Sequence, residues 1–317
     1  MKNTPSEKLI ISDADIRHET MRDGAVQLLS DTGFYDRTNG GRNEDAASAL
    51  ILPDTVAISV ADGAGSHPRG NEVSKLAVAS FARLLEVGGF DMNNIMGIVR
   101  SRIINNRLAN ITEETVVRKG IEKVLSGSPT TTLAWAVAKR NGSCVDLTYN
   151  RIGDSRVIII DPSFTQIIDE TIDQTYPNDC RLQEGMSDDE LKEYQNSVAY
   201  LTHELNHAIV AFLSQDYSGN IEQENKEIRD IPEGSVVLVV SDLITSNFTT
   251  EEMLGVYREF GVEKAPEVLM AMARQKPLMD KKGYEVVIDG KKVRVDKQAS
   301  VDNGTIAQMV IDSRLFS

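Results

Sequence analysis

Cysteine is scarce in this 317-residue chain: only Cys144 and Cys180 are present. Two thiols exclude a disulfide scaffold and fit a reducing compartment. Positive charge is also short. Lys and Arg number 34 against 48 Asp and Glu, a formal charge of -14. That balance argues against nucleic acid, whose phosphate backbone selects basic surfaces. No apolar run approaches the roughly 20 residues that span a bilayer, so a membrane partner is not expected. The N-terminal "MKNTPSEKLIISDAD" has only a short "LII" run and lacks the apolar stretch of a secretory signal. A cytoplasmic protein is the expectation. Internal repeats and low-complexity linkers are absent as well.

What is present suits a packed globular protein, with 41% hydrophobic residues in a chain long enough to bury a large core. Residues 1–24 are polar and charged and read as an extension or cap, leaving 25–317 as the domain. "GAVQLLSDTGF", "DTVAISVAD", "GSVVLVVSD" and "NGTIAQMVID" read as strands. "TTTLAWAVAKRNGSCVDLTYNRIGDSRVIIID" reads as a meander turning at Asn-Gly. Helical spacing marks "NEVSKLAVASFARLLEV", the stretch from Asn94 to Leu125, "VAYLTHELNHAIVAFLSQ" and "TTEEMLGVYREF". Residues 172–200 are polar and acidic, without strong periodicity. The loose alternation of strands and helices favours an α+β antiparallel sandwich over a doubly wound sheet.

Four apolar strands share one design: each runs into an aspartate beside a small or polar residue. These are Asp62 in "SVADGAG", Asp154 in "RIGDSR", Asp242 in "VVSDLIT" and Asp302 in "SVDNGT". Glu44 and Asp45 form a fifth acidic site after "GGRN". Carboxylates at the ends of adjacent strands can converge at one sheet edge, where their repulsion demands cations. An all-oxygen donor set favours hard ions, Mg²⁺ or Mn²⁺. Taken singly, each aspartate is more simply a turn or cap residue. Repetition over five sites is what points to chemistry.

In order, "NEDA", "VADGAGSHPRGNEVS", "SPTTTLAWAV", "RIGDSRV", "LVVSDLIT" and "VDNGTIAQMVI" resemble the successive motifs of metal-dependent serine/threonine protein phosphatases, the type 2C family, bacterial members above all. The likeness spans about residues 26–312. It implies a β-sandwich flanked by helix pairs, with a centre of two Mn²⁺ or Mg²⁺ ions and a weaker third. It implies attack of metal-activated water on phosphoserine or phosphothreonine, with phosphoproteins as substrates and a cognate Ser/Thr kinase as a partner. Carried over by residue, Asp62 bridges both metals and the Gly63 carbonyl binds one. Asp242 and Asp302 hold the other, with Asn303 orienting its neighbour. Glu44 and Asp45 act directly or through bound waters, Asp154 supports the third ion, and His67 is the candidate acid for the leaving alkoxide.

Two positions depart from the family pattern. Gly40 stands where a phosphate-binding arginine is usual, leaving Arg37 and Arg42 as candidates for that role. Leu243 replaces the glycine that usually follows the "SD" aspartate, and Gly40 and Leu243 together raise the alternative of a pseudophosphatase, a binding or sensing module that does not turn over. "HELNH", from His203 to His207, fits a zinc-peptidase helix with Glu204 as base. Cys144 is no cysteine-phosphatase nucleophile: six residues precede Arg151 where that loop takes five, and a buried strand cysteine is expected. The hairpin "YEVVIDGKKVRV" gathers Lys291, Lys292 and Arg294 shortly before Asp302 and reads as a basic substrate rim, or as a solvated edge.

Overall fold

The computed structural model describes residues 6–11, 16–31, 43–65, 67–88, 91–106, 113–118, 121–201, 203, 208–215, 225–279, 284–288, 291–295 and 303–317. The first nine strands are β1 Glu7–Ile11, β2 Ile16–Met21, β3 Val26–Asp31, β4 Asp45–Leu52, β5 Thr55–Asp62, β6 Glu113–Arg118, β7 Ile121–Ser126, β8 Leu133–Asn141 and β9 Cys144–Ile152. The remainder are β10 Arg156–Ile160, β11 Ile167–Glu170, β12 Lys226–Ile228, β13 Val236–Val240, β14 Tyr284–Ile288, β15 Lys291–Val295 and β16 Gly304–Val310. The helices are α1 Gly70–Val87, α2 Ile95–Ile104, α3 Tyr176–Gln183, α4 Asp188–Gln195, α5 Val198–Leu201, α6 Asp242–Thr245 and α7 Thr250–Met279, the last interrupted at Gly261.

The strands form two six-stranded antiparallel sheets, ordered β1-β4-β5-β8-β9-β12 and β11-β10-β13-β16-β3-β2. Period-two alternation explains how they stack. In β13, Val237 and Val239 enter the core between the sheets, while Val236, Leu238 and Val240 face outward against α7. In β5, Ile58 and Val60 point inward, and Ala57 and Ala61 meet Val73, Ala77 and Phe81 of α1. Those α1 residues recur at i, i+4 and i+8, one face of a helix. The result is four layers, helices–sheet–sheet–helices, as the alternation and the resemblance led one to expect. Among the described residues, no helix is long and apolar enough to cross a membrane.

Several sequence expectations change. Within the segment 1–24, read as an extension or cap, residues 7–11 and 16–21 supply an edge strand to each sheet: β1 pairs with β4 and β2 with β3. The helix expected from Asn94 to Leu125 stops at Ile104, and β6 and β7 form a separate hairpin. β-branched residues such as Thr115, Val116 and Val117 suit a pleated surface better than a helix. The acidic stretch 172–200 holds helices α3 to α5. A capping box between Ser187 and Glu190 opens α4, a polar start signal that apolar periodicity does not reveal. The long helix expected from Val198 ends at Leu201. Beyond it, Ile209 and Leu213 make isolated bridges to Thr175 and Thr131, and Ala211 and Leu213 join the core under α1. Cys144 begins β9 but is half-exposed rather than buried.

Segment 170–200 is pinned to the second sheet by one buried cation. The fully buried Arg156 donates from Nε and Nη2 to the two Asp173 carboxylate oxygens at 2.9 and 2.6 Å. It also reaches Glu170 and Asn196, both at 3.4 Å. Burial, the largest single influence, lowers the Arg156 pKa, but Asp173, Glu170 and Tyr200 together outweigh it and hold the guanidinium above its ordinary value. Tyr200 of α5 donates to the same carboxylate at 3.2 Å. Arg156→Ala strands two buried carboxylates, so it should lower unfolding free energy by about 3–5 kcal/mol, read from the urea midpoint at pH 7. A loss near zero would mean that the network does not hold the segment.

Candidate active site

Both sheets bring acidic residues to one end of the sandwich. Asp45 opens β4 and Asp62 closes β5, and the two are direct cross-strand partners. Asp45 is buried and Asp62 half-buried. In the second sheet Asp242 follows β13, while Asn303 immediately precedes β16 and Asp154 lies in the turn from β9 into β10. Asp154, Asp242 and Asn303 are all buried. Asp31, a fifth aspartate of this kind, closes β3 opposite Gly304 and is 1% exposed. Its strand "VQLLSD" ends by the same rule as the other four, the signal by which sequence could have found it. Asp302, Arg37, Arg42 and Gly40 lie outside the described residues, as do Glu204 and His207.

Hydroxyl and amide groups stitch the two sheets together at this end. The Asp45 amide donates to Asn43 Oδ1 (3.0 Å), and Asn43 Nδ2 donates to Ser30 Oγ (2.8 Å). Ser30 meets Thr305 at 3.0 Å, and the Thr305 amide donates to Ser241 Oγ at 2.9 Å, next to Asp242. A second path starts at the Asp62 amide, which donates to Thr132 Oγ1 (2.9 Å). Thr132 in turn meets Ser155, beside Asp154, at 2.7 Å. The Asp62 carbonyl accepts from the Thr132 amide and the Thr131 hydroxyl at 2.8 and 2.9 Å. The threonines of "SPTTTL" stand just before β8, which begins at Leu133. They fix the backbone on which Asp62 sits.

Gly63 is required by close approach. Its amide donates to the Glu44 carbonyl at 3.0 Å. A Cβ there would lie 2.3 Å from the Gly70 carbonyl oxygen and 2.8 Å from that of Glu44. Ser74 Oγ of α1 donates to the same Glu44 carbonyl at 2.6 Å. Motif spacing explains the packing: the apolar strand ends, Gly63 lets α1 press against it, and Ser74, one turn into α1, ties back to Glu44.

The Leu243 departure has a structural account. Asp242 opens α6 after the extended Ser241, and Leu243 is helical and 3% exposed within the outer core. Its side chain fills the space beside Gly304, where a Cβ would meet Leu243 Cδ2 at 2.4 Å. No left-handed backbone is needed at Leu243, so glycine is dispensable there.

The expected metal ligands are oxygen donors, the right kind for Mg²⁺ or Mn²⁺. The glycine cradle at Gly63 lets the α1 backbone come close behind the residue whose carbonyl is the expected ligand. Among the described residues, no three His, Cys, Asp or Glu side chains form a group able to hold an ion. The described donors therefore fit the ions in kind, as oxygen atoms, while their grouping into one centre is not shown among the described residues. A cleft of about 520 Å³ opens nearby, lined by Arg151, Asp173, Gln174 and Lys226 among others. Gln174 links it to this end by accepting from the Gly153 amide, beside Asp154, at 2.8 Å. His203 follows α5 outside any helix, and Glu204 and His207 of the same motif lie outside the described residues.

A profile of the protein phosphatase 2C family matches residues 32–260. The fold is similar to the serine/threonine phosphatase Stp1 of Staphylococcus aureus, with TM-score 0.58 and 20% identity over 96% of this chain and 100% of that one. The Mycobacterium tuberculosis phosphatase PstP/Ppp gives TM-score 0.55 and 18% identity over 94% of this chain and 99% of that one. A PstP catalytic domain in complex with two manganese ions gives 0.53 and 18%, over 96% and 100%. No curated protein matches the sequence.

Gly63→Ala should force the β5–α1 junction apart. We expect a loss of about 1–3 kcal/mol in urea unfolding. An unchanged midpoint would show that the close approach is not tight.

Proposed function

Because this chain belongs to the protein phosphatase 2C family, we propose that it hydrolyses phosphoserine and phosphothreonine in phosphoproteins with the help of bound Mn²⁺ or Mg²⁺. The observation that carries the reading is the cross-strand pairing of Asp45 and Asp62 beside the Gly63 cradle, at the end where Asp154, Asp242 and Asn303 also emerge. When bound, the ions would supply positive charge for the phosphoryl oxygens and lower the pKa of the attacking water.

The protein's own share is positioning. Asp62, the Gly63 carbonyl and Asp242, with Asp302, would hold the ions, while Glu44 and Asp45 complete the acidic rim. Asp154 would take a weaker third ion. The hydroxyl paths through Thr132 and Ser30 support rigid placement, because they anchor the backbone of both sheets rather than single side chains. His67 would give its proton to the departing serine or threonine oxygen. Arg37 and Arg42 remain the candidates for gripping the substrate phosphate, a bidentate task suited to guanidinium.

The test is turnover of a phosphothreonine peptide and of p-nitrophenyl phosphate with Mn²⁺ and after EDTA. Asp62→Ala should reduce Mn²⁺-dependent turnover at least about a hundredfold while circular dichroism stays native. Full activity in that variant would sink the assignment. Wild-type protein that binds Mn²⁺ but turns over neither substrate would make the fold a binding module.

The zinc-peptidase reading makes an opposite demand. Replacing His203 and His207 together by Gln should leave phosphatase turnover within about twofold and bound zinc undetectable. Activity lost together with zinc would restore that reading.

A further inference from the structure

The turn bearing His67 is held from outside by an element that the proposed chemistry does not use. The β6–β7 hairpin lies between α2 and β8, and its side chain Glu114 reaches the residue that opens α1. The Arg69 amide donates to Glu114 Oε2 at 2.8 Å, and Arg69 Nε lies 3.9 Å from Glu114 Oε1. Arg69 also pairs with Glu72 across the first turn of α1. Its backbone is left-handed, φ 58° and ψ 32°, a conformation costly for a residue with a Cβ. A charge-assisted bond to its amide is the kind of interaction that holds such a residue in place.

The hairpin's exit grips the same turn. Gly127, just after β7, has φ +104°, and a Cβ there would sit 3.1 Å from His67 Cδ2 and 3.5 Å from Nε2. The imidazole therefore lies directly on the Gly127 backbone. Three residues on, the Thr130 carbonyl accepts from the Ala64 amide at 3.0 Å. The next residue after Arg69 is Gly70, whose carbonyl packs against Gly63. Force on Glu114 thus passes through Arg69 and Gly70 to Gly63, and through Gly127 to His67.

We propose that the β6–β7 hairpin is a clamp on the 63–70 turn, with Glu114 as its positioning residue, setting the pose of His67 for protonation of the leaving oxygen. The proposal rests on the phosphatase reading given above. Its signature follows from leaving-group chemistry. A serine alkoxide needs a proton as the P–O bond breaks, whereas p-nitrophenolate leaves readily without one. A displaced His67 therefore harms only the first reaction.

Glu114→Ala and Glu114→Gln test this in the full chain with Mn²⁺, alongside amide hydrogen exchange of the metal-free protein. Glu114→Ala should slow kcat for a phosphoserine peptide about tenfold, leave p-nitrophenyl phosphate within about twofold, and keep KM for both near that of the parent. The Arg69 amide should exchange about tenfold faster. Glu114→Gln keeps an acceptor for that amide and should restore both readouts. Equal losses on both substrates without rescue by Gln would reduce Glu114 to a structural residue. Unchanged Arg69 exchange, or faster exchange with unchanged peptide turnover, would also overturn the proposal. If the parent turns over neither substrate, the phosphatase reading fails on its own. Arg69 exchange then judges the clamp separately.

Discussion

Both faces of both sheets are buried, and most of what is distinctive here depends on that constraint. Each sheet meets the other on one side and a helical layer on the other. A central strand such as β13 then has no side on which a polar residue is cheap, because burying an unpaired charge costs several kcal/mol. Carboxylates are driven to strand ends, where backbone pairing stops and other polar groups are within reach. Asp31, Asp45 and Asp62 occupy such ends, and Asp242 lies two residues beyond one. Placing acids in this way gathers negative charge at one end of the molecule.

A cluster of like charges also needs a rigid frame, or it would relax apart. The frame consists of short side chains and close backbone. Asn43–Ser30 and Thr132–Ser155 hydrogen bonds run from one sheet to the other, Thr305 and Ser241 continue the first path within the second sheet, and all of these residues are buried. Gly63 lets α1 approach until carbonyl meets Cα, and Leu243 fills the space that Gly304 vacates. These paired small-for-large choices hold Asp62 and Asp242 by their backbones, independently of any ion. The buried Arg156–Asp173 pair performs the same task for the 170–200 segment, whose Gln174 touches the Asp154 turn.

Much of this was legible in the sequence because it is local. Alternation in "TVAISVA" and "SVVLVVS" identifies strands, and an aspartate where each stops identifies the acidic end. The glycine of "ADGAG" announces close backbone contact. Where several local signals conflicted, sequence reading went astray. Residues 113–126 carry helix-compatible spacing but fold as a hairpin. Segment 172–200 has little apolar periodicity yet forms helices from polar caps and tertiary burial.

By itself the sequence determined the layered α+β class, the strand-end acids, and the resemblance that the family match bears out. Those features depend on side-chain periodicity and on spacing along one chain. Only the tertiary structure decided that residues 7–11 and 16–21 complete the two sheets and that Asp45 faces Asp62. It alone decided that Leu243 nests beside Gly304 and that Glu114 reaches the Arg69 amide 45 residues away in sequence. Each of these is a pairing between distant segments. Its energy depends on which surfaces the whole core brings into contact, and no window along the chain contains both partners.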